Sequence, residues 1–167
     1  MKENLPRSII IFYSYEGNTR FIAHTIAKEI RADILELKPK KDMNSKGFMK
    51  YFWGGKSVML KQKPKLEPYD FTPDNYDFIL IGTPVWSFTF TPALRTFFSQ
   101  ISIKNKKIAV FCCHEGGMRN TLDNMVDNLP GNTIIGKNDF NHPLVKNKNE
   151  NEKKAVAWAK ELIKSFN

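Results

Sequence analysis

Residues 7–20 constrain the fold of this chain more than any other segment, because they predict a strand, a tight turn and a helix in immediate succession. An apolar run with three consecutive isoleucines ends at Tyr13, and a turn rich in Ser, Gly and Asn follows it. A helical pattern begins directly behind the turn, with apolar residues spaced along one face from Phe21 to Ile30. We therefore predict a strand over residues 8–13 and a helix over residues 19–30.

The turn over residues 14–19, here called the phosphate turn, has the composition of an anion site. The N–H groups in the first turn of a helix have no partner within the helix, and the helix dipole adds roughly half a positive charge there. Ser14 and Thr19 add hydroxyl groups, Asn18 adds an amide, and Gly17 lets the main chain approach a ligand closely. Because the turn contains no lysine, we predict that it holds a terminal phosphate without transferring it.

Strand and helix patterns alternate along the rest of the chain. Further strands are predicted at residues 33–37, 77–82, 108–112 and 133–135, and further helices at residues 92–101, 118–129 and 155–166. Strands that alternate with helices pair in parallel through right-handed crossovers. We therefore predict one domain over residues 1–167 with an α/β fold, in which a doubly wound, five-stranded parallel sheet has helices on both faces.

The connection over residues 38–73 does not fit this alternation. A short helix around Phe48 and Trp53 is expected to end at Gly54 and Gly55. Residues 38–65, here called the lysine-rich segment, contain nine lysines and one acid, so they hold most of the net charge of +9. Such a segment attracts anionic partners, but it is equally compatible with a solvated surface. The sequence leaves open whether it covers the ligand site or lies apart from it.

Composition and spacing argue against several classes of protein. No apolar run is long enough to span a membrane, and Cys112 and Cys113 are adjacent, so they provide no disulfide framework. We therefore expect a cytoplasmic protein without membrane insertion. No nucleic-acid-binding motif is present, so no nucleic-acid partner is expected. The spacing of Cys and His residues fits no metal site, and no residue is assigned a catalytic role.

Two further predicted strand ends contribute candidate site residues, because ligands of open parallel sheets bind at the carboxyl ends of the strands. The first is an aromatic loop over residues 83–90, and the second is a glycine loop over residues 113–117. Trp86 is expected to contact a flat ligand. Phe88 and Phe90 are expected to pack beneath the loop or against the lysine-rich segment, and Cys112 is expected to lie in the core. A phosphate turn beside an aromatic loop predicts a flat heterocycle with a phosphorylated tail.

These three segments resemble, in order, the cofactor-binding loops of the flavodoxin family, and the resemblance covers nearly the whole chain. It implies bound FMN, with a flavodoxin-like fold. The phosphate turn would supply Ser14, Tyr15, Glu16, Gly17, Asn18 and Thr19, of which Ser14, Gly17, Asn18 and Thr19 would hold the phosphate. The aromatic loop would contact the flavin ring through Thr83, Pro84, Val85, Trp86 and Ser87. The glycine loop would line the pyrimidine edge with Cys113, His114, Glu115, Gly116 and Gly117.

The chain departs from the family pattern in three ways. Glu16 stands where a hydroxyl is usual, so its carboxylate is expected to point away from the phosphate or to be offset by Arg20. The aromatic loop has no glycine, although members that carry single electrons often use a glycine peptide that turns toward the flavin. The chain is basic rather than acidic, so we expect a less negative potential for the flavin than in an acidic flavodoxin.

The resemblance implies an electron-transfer protein that shuttles electrons between a reductase and an acceptor. The lysine-rich segment would then dock an acidic redox partner protein or an anionic small-molecule acceptor. The alternative is an FMN-dependent NAD(P)H oxidoreductase that acts on a quinone-like or other conjugated acceptor, which the missing glycine favours. A third possibility is a domain that has lost FMN and serves in binding or regulation, and Glu16 alone argues for it.

Overall fold

A computed structural model describes residues 5–42 and 48–166 of the chain, and its centre is a five-stranded parallel sheet. The strands are β1 (Ser8–Phe12), β2 (Asp33–Glu36), β3 (Phe78–Pro84), β4 (Lys107–His114) and β5 (Thr133–Asn141). Their order across the sheet is β2-β1-β3-β4-β5, and every neighbouring pair is parallel. The winding reverses between β1 and β3, which confirms the predicted doubly wound sheet.

Five α-helices accompany the sheet in the described part of the chain. They are α1 (Asn18–Ile30), α2 (Phe48–Met59), α3 (Pro92–Gln100), α4 (Thr121–Asp127) and α5 (Lys148–Phe166). On one face, α1 and α5 bury an apolar layer that includes Ile22 and Leu162 against the sheet. On the other face, α3 and α4 do the same with residues such as Phe97 and Met125. Helices therefore cover both faces of the sheet, as predicted.

Strand β5 and helix α5 are longer than their sequence patterns predict. The apolar run that predicts β5 stops at Ile135, yet the strand continues through polar residues to Asn141. It is an edge strand with one neighbour, so these side chains are only partly covered, and a bulge opposite Ile108 and Ala109 shifts its register. Helix α5 likewise begins at Lys148, ahead of the apolar spacing, because its first turns face solvent for the most part.

Helix α2 corrects the prediction that Gly54 and Gly55 end a short helix, because the helix runs through both glycines to Met59. Gly54 is buried, and a Cβ atom added to Gly55 would lie 3.0 Å from Ser87 Oγ. The glycines therefore allow the helix to approach the aromatic loop closely, and this tertiary contact outweighs their low helix propensity. Residues 43–47 of the lysine-rich segment, including Lys46, lie outside the described residues.

The fold brings the phosphate turn, the aromatic loop and the glycine loop to one edge of the sheet. The phosphate turn follows β1, whereas the aromatic and glycine loops begin with the last two residues of β3 and of β4, which extend further than predicted. These three strands are neighbours, and the carboxyl ends of parallel strands lie at the same edge. No helix in the described ranges is long and apolar enough to cross a bilayer.

Candidate functional site

A cavity of about 370 Å³ lies at the carboxyl ends of β1, β3 and β4, a volume typical of small-molecule sites. All of the predicted site residues line it except Gly17 and Thr83. Four further residues complete the lining, namely Lys50, Gly54, Gly55 and Phe88. The fold thus assembles the three predicted loops around one cavity and adds α2 as a further wall.

The phosphate turn presents the start of α1 to the cavity. Gly17 adopts a left-handed conformation with φ 93°, which favours glycine, and supplies no side chain to cap the helix. The Arg20 N–H donates to Ser14 Oγ at 3.2 Å, whereas the N–H groups of Asn18 and Thr19 have no acceptor within the helix. Gly17 thus shapes the turn without lining the cavity, and two main-chain donors remain for an external anion.

The side-chain hydroxyl of Thr19 is a buried polar group at the start of α1. The residue is only 1% exposed, and within the described chain its hydroxyl makes no hydrogen bond of ordinary geometry. The Cys113 thiol lies beside it as a weak partner. A buried hydroxyl without a good partner costs about 1–3 kcal/mol, so its presence beside two unpaired N–H groups points to a ligand acceptor. Asn18 is tied to the loop before α5, because its Oδ1 accepts the Leu144 N–H at 3.1 Å.

Thr83 does not face the cavity. It is fully buried, its hydroxyl accepts the Thr91 N–H at 3.2 Å, and it donates to the Pro84 carbonyl at 2.9 Å. These contacts fix the start of α3 relative to the end of β3. Thr83 therefore positions the aromatic loop, and its contact with the flavin stays a prediction.

The aromatic loop folds into a two-residue hairpin. Trp86 and Thr89 exchange main-chain hydrogen bonds of 2.9 and 3.1 Å, so Ser87 and Phe88 form the tip. The Trp86 ring packs edge-on against Tyr13 and Tyr15, with centroid distances of 5.8 and 5.9 Å, while also lining the cavity. Trp86 is thus both packed and available, and its contact with a flavin stays a prediction.

The burial of the two phenylalanines in the aromatic loop differs, and only Phe90 is packed as predicted. Phe90 is 3% exposed in the core, as predicted, whereas Phe88 is 62% exposed at the edge of the cavity. The prediction that Phe88 packs beneath the loop is wrong because the hairpin tip points its side chain outward. Asn124 of α4 holds the hairpin, since its side-chain amide donates to Thr89 Oγ1 at 2.9 Å.

His114 organises the glycine loop. Its Nδ1 accepts the Gly117 N–H at 3.0 Å, so its Nε2 must carry the proton that it donates to Asp139 Oδ2 at 2.8 Å. Its side chain is 9% exposed, and both ring nitrogens are occupied. His114 therefore fixes the backbone of this loop, with Gly116 and Gly117 lining the cavity beside it.

Lys50 provides the charge contact that the sequence did not predict. Its Nζ lies 2.6 Å from Glu16 Oε1 and 3.5 Å from Glu115 Oε1, so α2 is tied to both the phosphate turn and the glycine loop. Arg20 does not offset Glu16 as expected, because its Nε donates to Glu36 Oε2 at 3.0 Å. The carboxylate of Glu16 is instead paired with Lys50.

The two cysteines are buried thiols with low reactivity. Cys112 lies in the core, as predicted, and burial raises the pKa of its thiol to about 12. Burial likewise raises the pKa of the Cys113 thiol, although that residue lines the cavity. Within residues 5–42 and 48–166, no group of three or more His, Cys, Asp and Glu side chains is arranged to hold a metal ion.

The cavity residues that the sequence did not predict come from α2 and from the hairpin tip. Gly54 and Gly55 could have been predicted from the sequence as site residues, because glycines also occur where a backbone approaches another segment closely. Lys50 could not, because it is one of nine lysines in the same segment. Phe88 could not either, since a loop phenylalanine is more often buried than exposed.

Comparison with known proteins agrees with this fold. A family model described as Flavodoxin matches residues 7–158. A flavoprotein of Lactobacillus acidophilus NCFM, solved in complex with FMN, is 23% identical with a TM-score of 0.70, and the match covers 84% of this chain and 97% of that chain. A search of curated proteins finds none that matches this chain.

Two further solved structures share the architecture. A protein of Bacteroides uniformis ATCC 8492, provisionally described as a flavoprotein, is 18% identical with a TM-score of 0.78, covering 92% of this chain and 97% of that one. Oxidised Flavodoxin 2 of Bacillus cereus is 16% identical with a TM-score of 0.61, covering 95% of this chain and 98% of that one. Because the family model spans most of the sequence, the chain belongs to the flavodoxin family.

Proposed function

We propose that this chain is an FMN-dependent redox protein that carries electrons between a reductase and an acceptor. The observation that carries the proposal is the buried hydroxyl of Thr19, which makes no hydrogen bond of ordinary geometry in the described chain. It lies at the start of α1, where Gly17 provides no side-chain cap. Membership of the flavodoxin family supports FMN as the cofactor, as does the FMN complex of the Lactobacillus acidophilus relative.

The phosphate turn fits the phosphate of FMN on chemical grounds. The free N–H groups of Asn18 and Thr19, the hydroxyl of Ser14 and the hydroxyl of Thr19 are uncharged donors that converge at a helix N-terminus. A dianionic phosphate would satisfy the buried hydroxyl that has no good partner. Glu16 does not oppose this role, because its carboxylate is paired with Lys50.

The rest of the cavity fits a flat ring system. Trp86 and Tyr15 provide aromatic surface on one side, and the glycine loop offers a narrow backbone edge on the other. Gly54 and Gly55 allow α2 to close a third side without side chains that would fill the space. Bound FMN supplies reversible electron transfer through its ring. The residues of the chain orient the ring, exclude water from it and set the charge around it.

Charge at the cavity is more balanced than the whole chain suggests. Among the described lining residues, Lys50 faces the two carboxylates of Glu16 and Glu115, and both ring nitrogens of His114 are occupied by hydrogen bonds. The positive excess of the lysine-rich segment is therefore suited to attracting an acidic protein or an anionic acceptor at longer range.

A second candidate is an FMN-dependent NAD(P)H oxidoreductase that acts on a quinone-like or other conjugated acceptor. The hairpin favours it, because Ser87 and Phe88 form a pinned tip without glycine, held by the Trp86–Thr89 hydrogen bonds and by Asn124. A backbone held in this way resists the peptide rotation that helps single-electron carriers. Two-electron transfer does not require such a rotation.

Two measurements test these proposals in sequence. First, titration of the protein with FMN, followed by flavin fluorescence, is expected to show tight binding and a yellow protein. A protein that stays colourless with excess FMN would instead support a domain that serves in binding or regulation. Second, anaerobic mixing of the FMN-loaded protein with NADPH or NADH distinguishes the two redox roles. Slow bleaching that needs a separate reductase supports the carrier, and rapid bleaching by the nucleotide alone supports the oxidoreductase.

A further inference from the structure

The tip of the aromatic hairpin is held in an unfavourable backbone conformation. Ser87 and Phe88 have φ angles of 46° and 64°, the pattern of a two-residue hairpin that is usually built with Asn and Gly. A positive φ at a bulky residue such as phenylalanine is a true outlier, and such strain concentrates at functional sites. The Phe88 side chain at this tip is 62% exposed, which places an apolar ring in solvent beside the cavity.

Arg119, which lies just before α4, contacts this ring. Its guanidinium carbon lies 5.3 Å from the centroid of the Phe88 ring, and its own φ is 47°. Two separate loops therefore adopt unfavourable backbone angles at the point where their side chains touch. Arg119 is exposed and makes no ion pair with any described residue, whereas the nearby acid of its own loop, Glu115, is paired with Lys50.

We propose that Phe88 and Arg119 bind the electron acceptor of this protein, and that this acceptor is a small planar aromatic anion. An exposed aromatic ring provides a face for stacking, and a guanidinium that stacks on a ring keeps its N–H edges available for a carboxylate or sulfonate. The net charge of +9 adds a long-range attraction for anions. The inference rests on the proposed FMN function, since it places the acceptor at the mouth of the cofactor cavity.

The test uses the FMN-loaded protein and two matched probes that cannot be reduced under the conditions used. Naphthalene-2-sulfonate carries a negative charge, and naphthalene-2-sulfonamide has nearly the same shape without it. Isothermal titration is expected to show that the wild-type protein binds the sulfonate at least tenfold more tightly than the sulfonamide. Arg119→Gln is expected to abolish that preference, and Phe88→Gly to weaken both probes at least fivefold. Phe88→Gly is expected to fold, because glycine tolerates the positive φ.

Lys63→Gln is the control for general charge, because Lys63 is exposed in the lysine-rich segment and does not line the cavity. It is expected to leave both affinities within twofold of the wild-type values. Equal binding of the sulfonate by wild type and Arg119→Gln would overturn the inference, as would equal losses in Lys63→Gln and Arg119→Gln. FMN uptake is measured first. A protein that binds no FMN refutes the proposed function and this inference together. If FMN binds normally but the probes do not behave as expected, only the proposed acceptor site is refuted.

Discussion

The side-chain amide of Asn124 donates a hydrogen bond to Thr89 Oγ1 at 2.9 Å, and this contact joins α4 to the hairpin that carries Phe88. The hairpin keeps two residues at positive φ, so part of the folding free energy is spent on its conformation. The strain can be measured apart from the loss of the Phe88 ring, because glycine relieves it and alanine does not.

We expect Phe88→Gly to be more stable than Phe88→Ala by about 1 kcal/mol in the free energy of unfolding. Both variants lose the same exposed ring, but only glycine adopts the left-handed conformation at little cost. Urea unfolding of the two variants measures the difference directly. At a position without strain, alanine is the more stabilising residue, because glycine has the greater conformational entropy in the unfolded state. A free energy of unfolding for Phe88→Ala that equals or exceeds that of Phe88→Gly would therefore show that Phe88 is not strained.

Asp139 is expected to stabilise the glycine loop through His114. Asp139→Ala removes the acceptor of the His114 Nε2–H, which leaves a largely buried donor unpaired and lowers the free energy of unfolding by about 1–3 kcal/mol. Asp139→Asn keeps an acceptor and is expected to recover most of this loss. Asp123→Asn, which removes an exposed ion pair with Lys137, serves as the control and should cost less than about 1 kcal/mol. Equal effects of the alanine and asparagine variants in urea unfolding would refute the role of Asp139.

Lys50 is expected to raise the potential of bound FMN. A unit charge ~8 Å from the flavin contributes about 2 kcal/mol at an effective dielectric constant of ~20, before screening by salt. Lys50→Gln should therefore make the two-electron midpoint potential roughly 20–40 mV more negative. Lys56→Gln is the matched control on the same helix, because Lys56 lies over the exposed Trp53 ring and does not line the cavity. A spectroelectrochemical titration in which both variants shift equally would show that only the overall charge matters.

The buried thiols are expected to make the protein less stable at alkaline pH. Burial raises the pKa of Cys112 to about 12, whereas an unfolded thiol titrates near 9, and burial raises the pKa of Cys113 as well. Above pH 9 the unfolded state loses protons that the folded state keeps, so stability falls as pH rises from 9 toward 12. The slope is up to about 1.4 kcal/mol per pH unit for each thiol.

The double variant Cys112→Ala with Cys113→Ala isolates this contribution. Its urea midpoint is expected to be lower than that of the wild type at pH 7 because of the cavities left behind, but to fall less steeply between pH 9 and pH 10.5. Parallel curves for the two proteins would show that other groups, such as the buried Tyr13, cause the alkaline loss.

The sequence predicted the sheet and most of the cavity because both depend on local patterns. Three adjacent local signals predict β1, the phosphate turn and α1 without information from the rest of the chain. They are the apolar run before Tyr13, the turn at Gly17 and the helical pattern that follows it. The strands that bring the other loops to the same edge are buried apolar runs. Once these strands are identified, the topology rules for parallel sheets place their carboxyl ends at the same edge.

The features that the sequence did not predict depend on contacts between segments that are distant along the chain. Lys50 is notable only because α2 folds over the cavity and reaches Glu16 and Glu115. Gly54 and Gly55 resemble the end of a helix in the sequence, and only the fold shows that Ser87 lies against Gly55. The polar residues of β5 pair as an edge strand because β4 offers them a partner, and no local propensity indicates this.

The most direct test of the account compares Thr19→Val with Thr121→Val. Both hydroxyls are buried without a hydrogen bond of ordinary geometry in the described chain, but only Thr19 lines the cavity. Neither variant is expected to lose stability without FMN, because neither hydroxyl makes a good contact there. With FMN, a hydroxyl bound to a charged phosphate contributes about 1.5–3 kcal/mol, so Thr19→Val should weaken FMN binding by tenfold or more while Thr121→Val leaves it unchanged. Equal FMN affinity in the two variants would contradict the assignment of this turn as the phosphate site.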